Sequence, residues 1–151
     1  MATDTGVRPT TSTFSIKGPY LSAGRINIDL ARTDLLWLSL KVNAEGGENA
    51  VHAHTDEDHA FIVLEGEVTF FDEHGDGKTL GQYEGIMIPK GAYYRYLNTG
   101  GRNLFLLRVG AQMERSGITR VTPDGAEIPG DSPENHHVDP VAIEGKNFGA
   151  A

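Results

Sequence analysis

Short apolar runs separated by polar turns recur along the chain from residue 36 to residue 109. In residues 36–42, leucine or valine stands at every second position, a period of two that predicts a strand with one buried face. Residues 60–64 are apolar throughout, which is typical of a strand covered on both faces. Similar runs predict further strands over residues 51–54, 68–71, 83–88, 93–97 and 104–109.

Glycine, proline and asparagine mark the connections between these runs. Residues 72–77 hold two glycines, which supply the positive φ of a tight hairpin turn. Pro89-Lys90-Gly91 and residues 98–101 indicate two more turns, and no segment keeps a 3.6-residue apolar period over three turns. Short strands at intervals of about ten residues predict an all-β sandwich or barrel.

The chain of 151 residues is most naturally one folded domain with two extensions. Residues 1–13 are polar and rich in threonine, so we predict a flexible N-terminus. We expect the barrel to occupy residues 14–112. Residues 113–151 contain four of the seven prolines and few large apolar side chains, which predicts an irregular C-terminal extension without a core of its own.

Composition excludes several classes of partner. The net charge of −8 argues against nucleic-acid binding, which needs a positive surface to neutralise phosphates. No apolar run approaches the roughly 20 residues of a membrane span, and the N-terminus lacks the pattern of a secretory signal. The chain has no cysteine, hence no disulfide and no thiolate ligand. We therefore expect a cytoplasmic protein without nucleic-acid or membrane partners.

Half of the six histidines, His52, His54 and His59, lie within eight residues. Side chains two apart on a strand share a face, so His52 and His54 should project together. A turn through residues 55–58 would bring His59 to the same point. Imidazole is the commonest ligand for transition metals, and three of them leave positions open for a substrate. The cluster predicts one divalent metal per chain, namely Fe, Mn, Ni or Zn.

Two motifs resemble those of the cupin superfamily. In the first, Gly46 or Gly47 precedes His52-Ala53-His54, and Gly66 closes the motif. In the second, Pro89-Lys90-Gly91 is followed at the family's spacing by Tyr94 and Asn98. The resemblance covers roughly residues 35–110 and implies a double-stranded β-helix, or jelly-roll, barrel of the small single-domain type. It also implies a homodimer.

The motifs depart from the family pattern at two ligand positions. His59 stands where the family has glutamate, and Tyr94 stands where the family has the second-motif histidine. The resemblance carries the ligand role to His52 and His54 directly and to His59 by position. Tyr94 is interpreted as a hydrogen-bond donor or general acid/base beside an open position, with direct tyrosinate ligation as the alternative. Glu57 is a further candidate, as an offset substitute for the missing glutamate.

Two classes of function follow, because cupins host many unrelated activities. The first is a metal-dependent enzyme that acts on a small organic molecule, either an oxygenase using iron or a lyase or isomerase using manganese, nickel or zinc. The second is a non-catalytic cupin that binds or senses a small ligand, with or without metal. No cysteine nucleophile, Gly-x-Ser-x-Gly elbow or phosphate loop offers another mechanism.

Strand parity also predicts the lining of the pocket. The expected lining is apolar and aromatic, which indicates a partly hydrophobic ligand. It comprises Trp37, Phe61, Val63, Tyr96 and either Phe105 or one of its neighbours. The adjacent pair His136-His137 in the C-terminal extension is interpreted as surface, with capping of a neighbouring subunit's site as the alternative.

Overall fold

The computed structural model describes residues 6–112, 120–129, 132–135 and 137–149. Parts of both predicted extensions, His136 among them, lie outside these residues. Within them the regular elements are strands, apart from one 3-10 turn at Pro133–Asn135, and no helix has the length and hydrophobicity of a membrane span. The strands are β1 (Gly18–Ala23), β2 (Arg25–Arg32), β3 (Leu36–Asn43), β4 (Gly47–His54), β5 (Glu57–Glu65), β6 (Val68–Phe71), β7 (Gly77–Leu80), β8 (Gly85–Ile88), β9 (Tyr94–Asn98), β10 (Leu104–Gln112), β11 (Arg120–Val121) and β12 (Val141–Phe148).

Two five-stranded antiparallel sheets form the barrel. One has the strand order β2-β3-β10-β5-β8, and the other has the order β11-β4-β9-β6-β7. From β3 onward the chain passes back and forth between the two sheets, which is the course of a double-stranded β-helix. The predicted all-β jelly-roll fold is confirmed.

Buried apolar side chains form two clusters on opposite faces of the first sheet. Phe61, Val63 and Tyr96 belong to the cluster inside the barrel, together with Leu104 and Leu106. The second cluster lies on the outer face and is made by Leu21, Leu40, Val42 and Phe105. Each fully buried side chain of this size contributes about 1.5–3 kcal/mol of burial free energy. Because alternate residues of β10 enter different clusters, its apolar run is covered on both faces.

The predicted buried face of β3 therefore points away from the barrel interior. Leu40 and Val42 pack in the outer cluster, against which Ile16 and Phe148 also pack. The intervening residues, of which three are polar, consequently face the interior, because side chains alternate along a strand. They are Trp37, Ser39, Lys41 and Asn43. The inner face of β3 is therefore mostly polar.

The C-terminal extension, predicted to be irregular, contributes two strands. β12 pairs antiparallel with β1, where Gly18 is opposite Phe148, and β11 pairs with β4, where Arg120 is opposite His54. Both pairings join residues far apart in the chain, so no local pattern of hydrophobicity indicates them. The extension thereby reaches the barrel next to the histidine cluster.

Candidate metal centre

The three predicted histidines meet where β4 ends and β5 begins. The ring centroids of His52 and His54 lie 5.2 Å apart, and those of His54 and His59 lie 4.2 Å apart. The turn of the second motif is tied to this point, because the backbone N–H of Gly91 donates to the His54 carbonyl at 2.8 Å. The two sequence motifs are thus neighbours in space.

Glu57 joins the histidines because β5 begins with it. The predicted turn over residues 55–58 is shorter in the structure, so Glu57 and His59 are two apart on one strand and share a face. Glu57 Oε1 lies 2.7 Å from His54 Nδ1 and 3.0 Å from His59 Nε2. Among the described residues, His54, Glu57 and His59 form a group whose ligand atoms all lie within 4.8 Å of one another.

The protonation states suit metal binding. Burial lowers the pKa of His52 and of His59 to about 4, and it also lowers the pKa of His54, so all three imidazoles are neutral at pH 7. Burial acts to raise the pKa of Glu57, but the adjacent His54 and His59 outweigh it and hold that pKa well below its usual range. Neutral imidazoles with a carboxylate are the ligand forms that a divalent metal requires.

His52 faces a second set of charges. Its Nδ1 lies 2.9 Å from the Ala50 carbonyl, which leaves Nε2 toward Arg120 Nη2 at 3.1 Å and Glu48 Oε2 at 3.3 Å. Lys41 forms an ion pair with the other oxygen of Glu48. His52 is not a member of the group formed by His54, Glu57 and His59, and whether it binds metal stays a prediction.

Arg108 is a functional candidate that sequence analysis missed. Its Nη2 lies 3.0 Å from His59 Nε2 and 3.8 Å from Glu57 Oε1. The guanidinium stacks over the Trp37 ring at 4.5 Å from the centroid, and the Trp37 ring in turn packs closely against Gly110. One signal was available in the sequence, since Arg108 is the only charged residue in the apolar run 104–109.

Tyr94 lies beside the histidines as predicted from the second motif. Its hydroxyl is 3.4 Å from His54 Nε2, and its ring centroid is 4.6 Å from that of His52. Burial raises the pKa of Tyr94 well above its ordinary value of 10, so the side chain is a protonated phenol at pH 7. The structure therefore brings together His52, His54, His59 and Tyr94.

The predicted pocket lining is wrong for three of its five residues. Phe61 and Val63 are packed in the inner cluster and Phe105 in the outer one, and all three are fully buried. Tyr96, also in the inner cluster, lines a cleft of 280 Å³ together with Lys41 and Glu48. Trp37 instead lines a cleft of 220 Å³ whose other lining side chains are polar, Glu57 and Arg108 among them. The open approach to Glu57 is therefore polar, because the polar face of β3 points inward.

The remaining described histidines, His74 and His137, do not join the centre. His137 is half-exposed, with Nε2 3.4 Å from Asp139 Oδ1, and His74 is exposed in the hairpin turn. His136 lies outside the described residues, so its predicted position at the surface is not addressed by the structure. Neither His74 nor His137 is a member of the group of His54, Glu57 and His59, although His137 lines the 280 Å³ cleft together with Glu48.

The donor set of this cluster fits a metal ion. His54 Nδ1 is buried and has no partner in hydrogen-bond geometry, although Glu57 Oε1 is only 2.7 Å away. Two imidazoles and a carboxylate are donors that Fe, Mn, Ni and Zn accept, and an ion between them would satisfy the orphaned nitrogen.

Comparisons with known proteins agree with the fold. The model of the Cupin domain family matches residues 40–110. KdgF from Halomonas sp. superposes with a TM-score of 0.59 at 16% identity, covering 69% of this chain and 96% of that one. A cupin-superfamily sugar phosphate isomerase from Silicibacter pomeroyi gives a TM-score of 0.55 at 15% identity, covering 74% and 85%. The Cnp3 cupin domain of Schizosaccharomyces pombe gives 0.55 at 17%, covering 62% and 68%. No curated protein matches the chain in sequence.

Proposed function

Because the chain belongs to the cupin superfamily, we propose that it is a metal-dependent enzyme acting on a small organic molecule. The observation that carries this proposal is the convergence of two buried imidazoles, from His54 and His59, on one oxygen of Glu57. These three residues would hold one divalent transition metal per chain. His52 and Tyr94 are proposed as further ligands only if metal loss follows their substitution.

The metal, when bound, supplies a Lewis acid that stabilises negative charge on a substrate oxygen. The protein supplies the remaining groups. The protonated phenol of Tyr94, 3.4 Å from His54 Nε2, is placed to donate a hydrogen bond or a proton to a substrate beside the histidines. Arg108 adds a fixed positive charge next to His59, with Nη2 3.0 Å from His59 Nε2.

A lyase or isomerase is the reaction class that this arrangement favours. Proton transfer next to a carbonyl or carboxylate needs a donor and a cation near the developing charge, and Tyr94 and Arg108 are such a pair. A sugar phosphate isomerase is among the similarly folded proteins, so the fold accommodates such chemistry. Turnover with manganese or zinc in the absence of oxygen would support this class.

An oxygenase is the second candidate, and the observation in its favour is the identity of the three proposed metal ligands. Two histidines and one carboxylate with open positions are the ligands of many non-haem iron oxygenases. In this case oxygen consumption would depend on added iron, and anaerobic samples would be inactive. The two candidates are therefore distinguished by one comparison of metal and oxygen dependence.

The alternative of a non-catalytic binding or sensor cupin also has an observation in its favour. Arg108 and Arg120 each place a guanidinium nitrogen about one hydrogen-bond length from a histidine nitrogen, at 3.0 and 3.1 Å. These cations oppose a further positive ion nearby. A protein that is purified without metal and has no affinity for Mn²⁺, Fe²⁺, Ni²⁺ or Zn²⁺ would support this alternative.

Titration of chelator-treated protein with Co²⁺, followed by absorption, tests the proposal directly. We expect saturation at one ion per chain and loss of the spectral change in His54→Ala, while His74→Ala, which alters an exposed histidine, should behave as the wild type. Equal titration of His54→Ala and the wild type would contradict the proposal.

A homodimer is proposed from the family resemblance. Light scattering coupled to size-exclusion chromatography measures the mass directly, and we expect twice the chain mass of 16.3 kDa. A monomer at micromolar concentration would contradict the dimer without bearing on the metal centre.

A further inference from the structure

A polar groove runs along the inner face of β2 and β3 toward the metal centre. In the register of these strands, Arg25 is opposite Asn43, Asn27 is opposite Lys41, and Asp29 is opposite Ser39. Two clefts, of 280 and 220 Å³, lie along this face and share Asn27 in their linings. We call the two together the β2–β3 groove.

Three buried donors in this groove lack partners. Ser39 is 2% exposed and Asn43 is 1% exposed, and neither Ser39 Oγ nor Asn43 Nδ2 has a hydrogen-bond partner among the described residues. Arg108 Nε is buried and unpartnered in the same way, although Nη2 of the same side chain contacts His59. Buried polar atoms are almost always hydrogen-bonded, so three unsatisfied donors along one groove indicate a missing acceptor.

The chemistry of these donors identifies the ligand class. A guanidinium matches the geometry of a carboxylate, and a hydroxyl and an amide N–H₂ match further hydroxyl or carbonyl oxygens. The cleft that contains Arg108 also contains Glu57, so a carboxylate held by Arg108 would lie next to the metal centre. Asp29 lines the same cleft and can accept a hydrogen bond from a ligand hydroxyl.

We infer that the β2–β3 groove binds a small organic acid that carries hydroxyl or carbonyl oxygens, with its carboxylate on Arg108. The inference rests on the proposed function and names the substrate class of the same centre. An apolar ligand would leave Ser39, Asn43 and Arg108 unsatisfied. A long polymer would not be contained in clefts of this volume.

Calorimetry on metal-free protein tests the inference apart from the metal. The protein is treated with chelator and then dialysed free of it, since the chelator is itself a carboxylate. The probes are malate, a four-carbon hydroxy acid, and erythritol, a four-carbon polyol without a carboxylate. We expect saturable binding of malate and at least tenfold weaker binding of erythritol, because the charged hydrogen bonds to Arg108 are lost.

Ser39→Ala and Arg108→Lys locate the binding site. We expect each to weaken malate binding about tenfold, while the matched changes Ser22→Ala and Arg102→Lys, at exposed positions, leave it unchanged. Because Ser39 Oγ has no partner in the free protein, Ser39→Ala should keep or raise the unfolding midpoint. A weaker complex in an equally stable variant cannot come from misfolding.

Three results would overturn the inference. These are no malate binding, equal binding of malate and erythritol, or malate binding that neither Ser39→Ala nor Arg108→Lys weakens. None of them affects the Co²⁺ titration, in which the same preparations report on His54 and Glu57. If the protein bound malate but no metal, the proposed function would be refuted, whereas the inference that the β2–β3 groove binds an organic acid would hold.

Discussion

At the scale of single residues, the centre depends on which side chains share a face at the junction of β4 and β5. Glu57 and His59 do so because β5 begins at Glu57, whose backbone is opposite Gln112 of β10. The acidic run Asp56-Glu57-Asp58 is typical of a solvated turn, so its local pattern does not distinguish Glu57 from its neighbours. Glu57 was therefore only a minor candidate in the sequence.

The chemical role of the Tyr94 hydroxyl can be tested without disturbing the packing of its ring. Tyr94→Phe removes the hydroxyl near His54 and keeps the buried ring. We expect unchanged metal content and a fall in turnover of about 100-fold, as for loss of a general acid. Elemental analysis and steady-state kinetics measure the two effects.

Tyr20→Phe is the matched control for this change, since it removes the hydroxyl of a tyrosine that packs against the outer cluster and donates to Glu65 instead. Loss of metal from Tyr94→Phe would show that Tyr94 is a ligand. Full activity would show that its hydroxyl has no chemical role.

At the scale of strands, β10 carries both Arg108 and Gly110. Gly110 leaves room for the Trp37 ring on which the Arg108 guanidinium stacks. A Cβ atom at Gly110 would lie 2.0 Å from the Trp37 ring, so no side chain fits there without moving Trp37. We expect Gly110→Ala to lower the free energy of unfolding by roughly 1–3 kcal/mol through overpacking. Urea denaturation measures this change.

Gly101→Ala is the control, because a Cβ atom at Gly101 meets nothing within 4 Å. If Gly110→Ala were as stable as the wild type, Trp37 would be free to rotate. The stacking of Trp37 on Arg108 could then not be what positions the guanidinium.

At the same scale, the sequence predicted the strands that have a local apolar pattern better than those that are held by pairing with a distant strand. The period of two in residues 36–42 and the apolar run 60–64 predicted β3 and β5, whose faces are set by local alternation. β2 carried the same signal in Ile26, Ile28 and Leu30, which the sequence analysis did not use. β12 is mostly exposed and is held by pairing with β1, so no apolar pattern marks it.

The candidate site was predicted only where its residues follow from local sequence, because long-range strand pairing supplies the others. His52, His54, His59 and Tyr94 follow from motif spacing, and the structure brings them together. Glu48, Arg108 and Arg120 come from three different strands and meet only through pairing, as Arg120 does when it aligns with His54. The sequence also did not predict that the polar face of β3 points into the barrel. That direction follows because β1 and β12 cover the other face.

At the scale of the whole molecule, the buried histidines make stability depend on pH. The pKa of His52 and of His59 is about 4 in the folded chain and about 6.5 when unfolded. Between these values the unfolded chain binds more protons, so stability is full above pH 6.5 and is lost as the pH falls toward 4. The carboxylates Glu48 and Glu57, whose pKa values are also lowered, extend this loss below pH 4.5.

We expect the metal-free protein to lose on the order of several kcal/mol of stability between pH 7.5 and pH 4.5. Urea midpoints at a series of pH values measure this loss. His74→Gln, at an exposed position, should leave the slope unchanged, whereas His52→Gln should reduce it. A flat profile over this range would mean that the histidines are not buried in their neutral form.

The central claim is that His54, Glu57 and His59 hold one divalent metal ion. Elemental analysis of purified Glu57→Gln beside His52→Ala tests it most directly, with the exposed change Glu45→Gln as control. We predict one metal ion per chain in the wild type and in Glu45→Gln, and loss of the metal from Glu57→Gln. Full occupancy in Glu57→Gln, with loss in His52→Ala, would contradict the claim and favour a centre of three histidines.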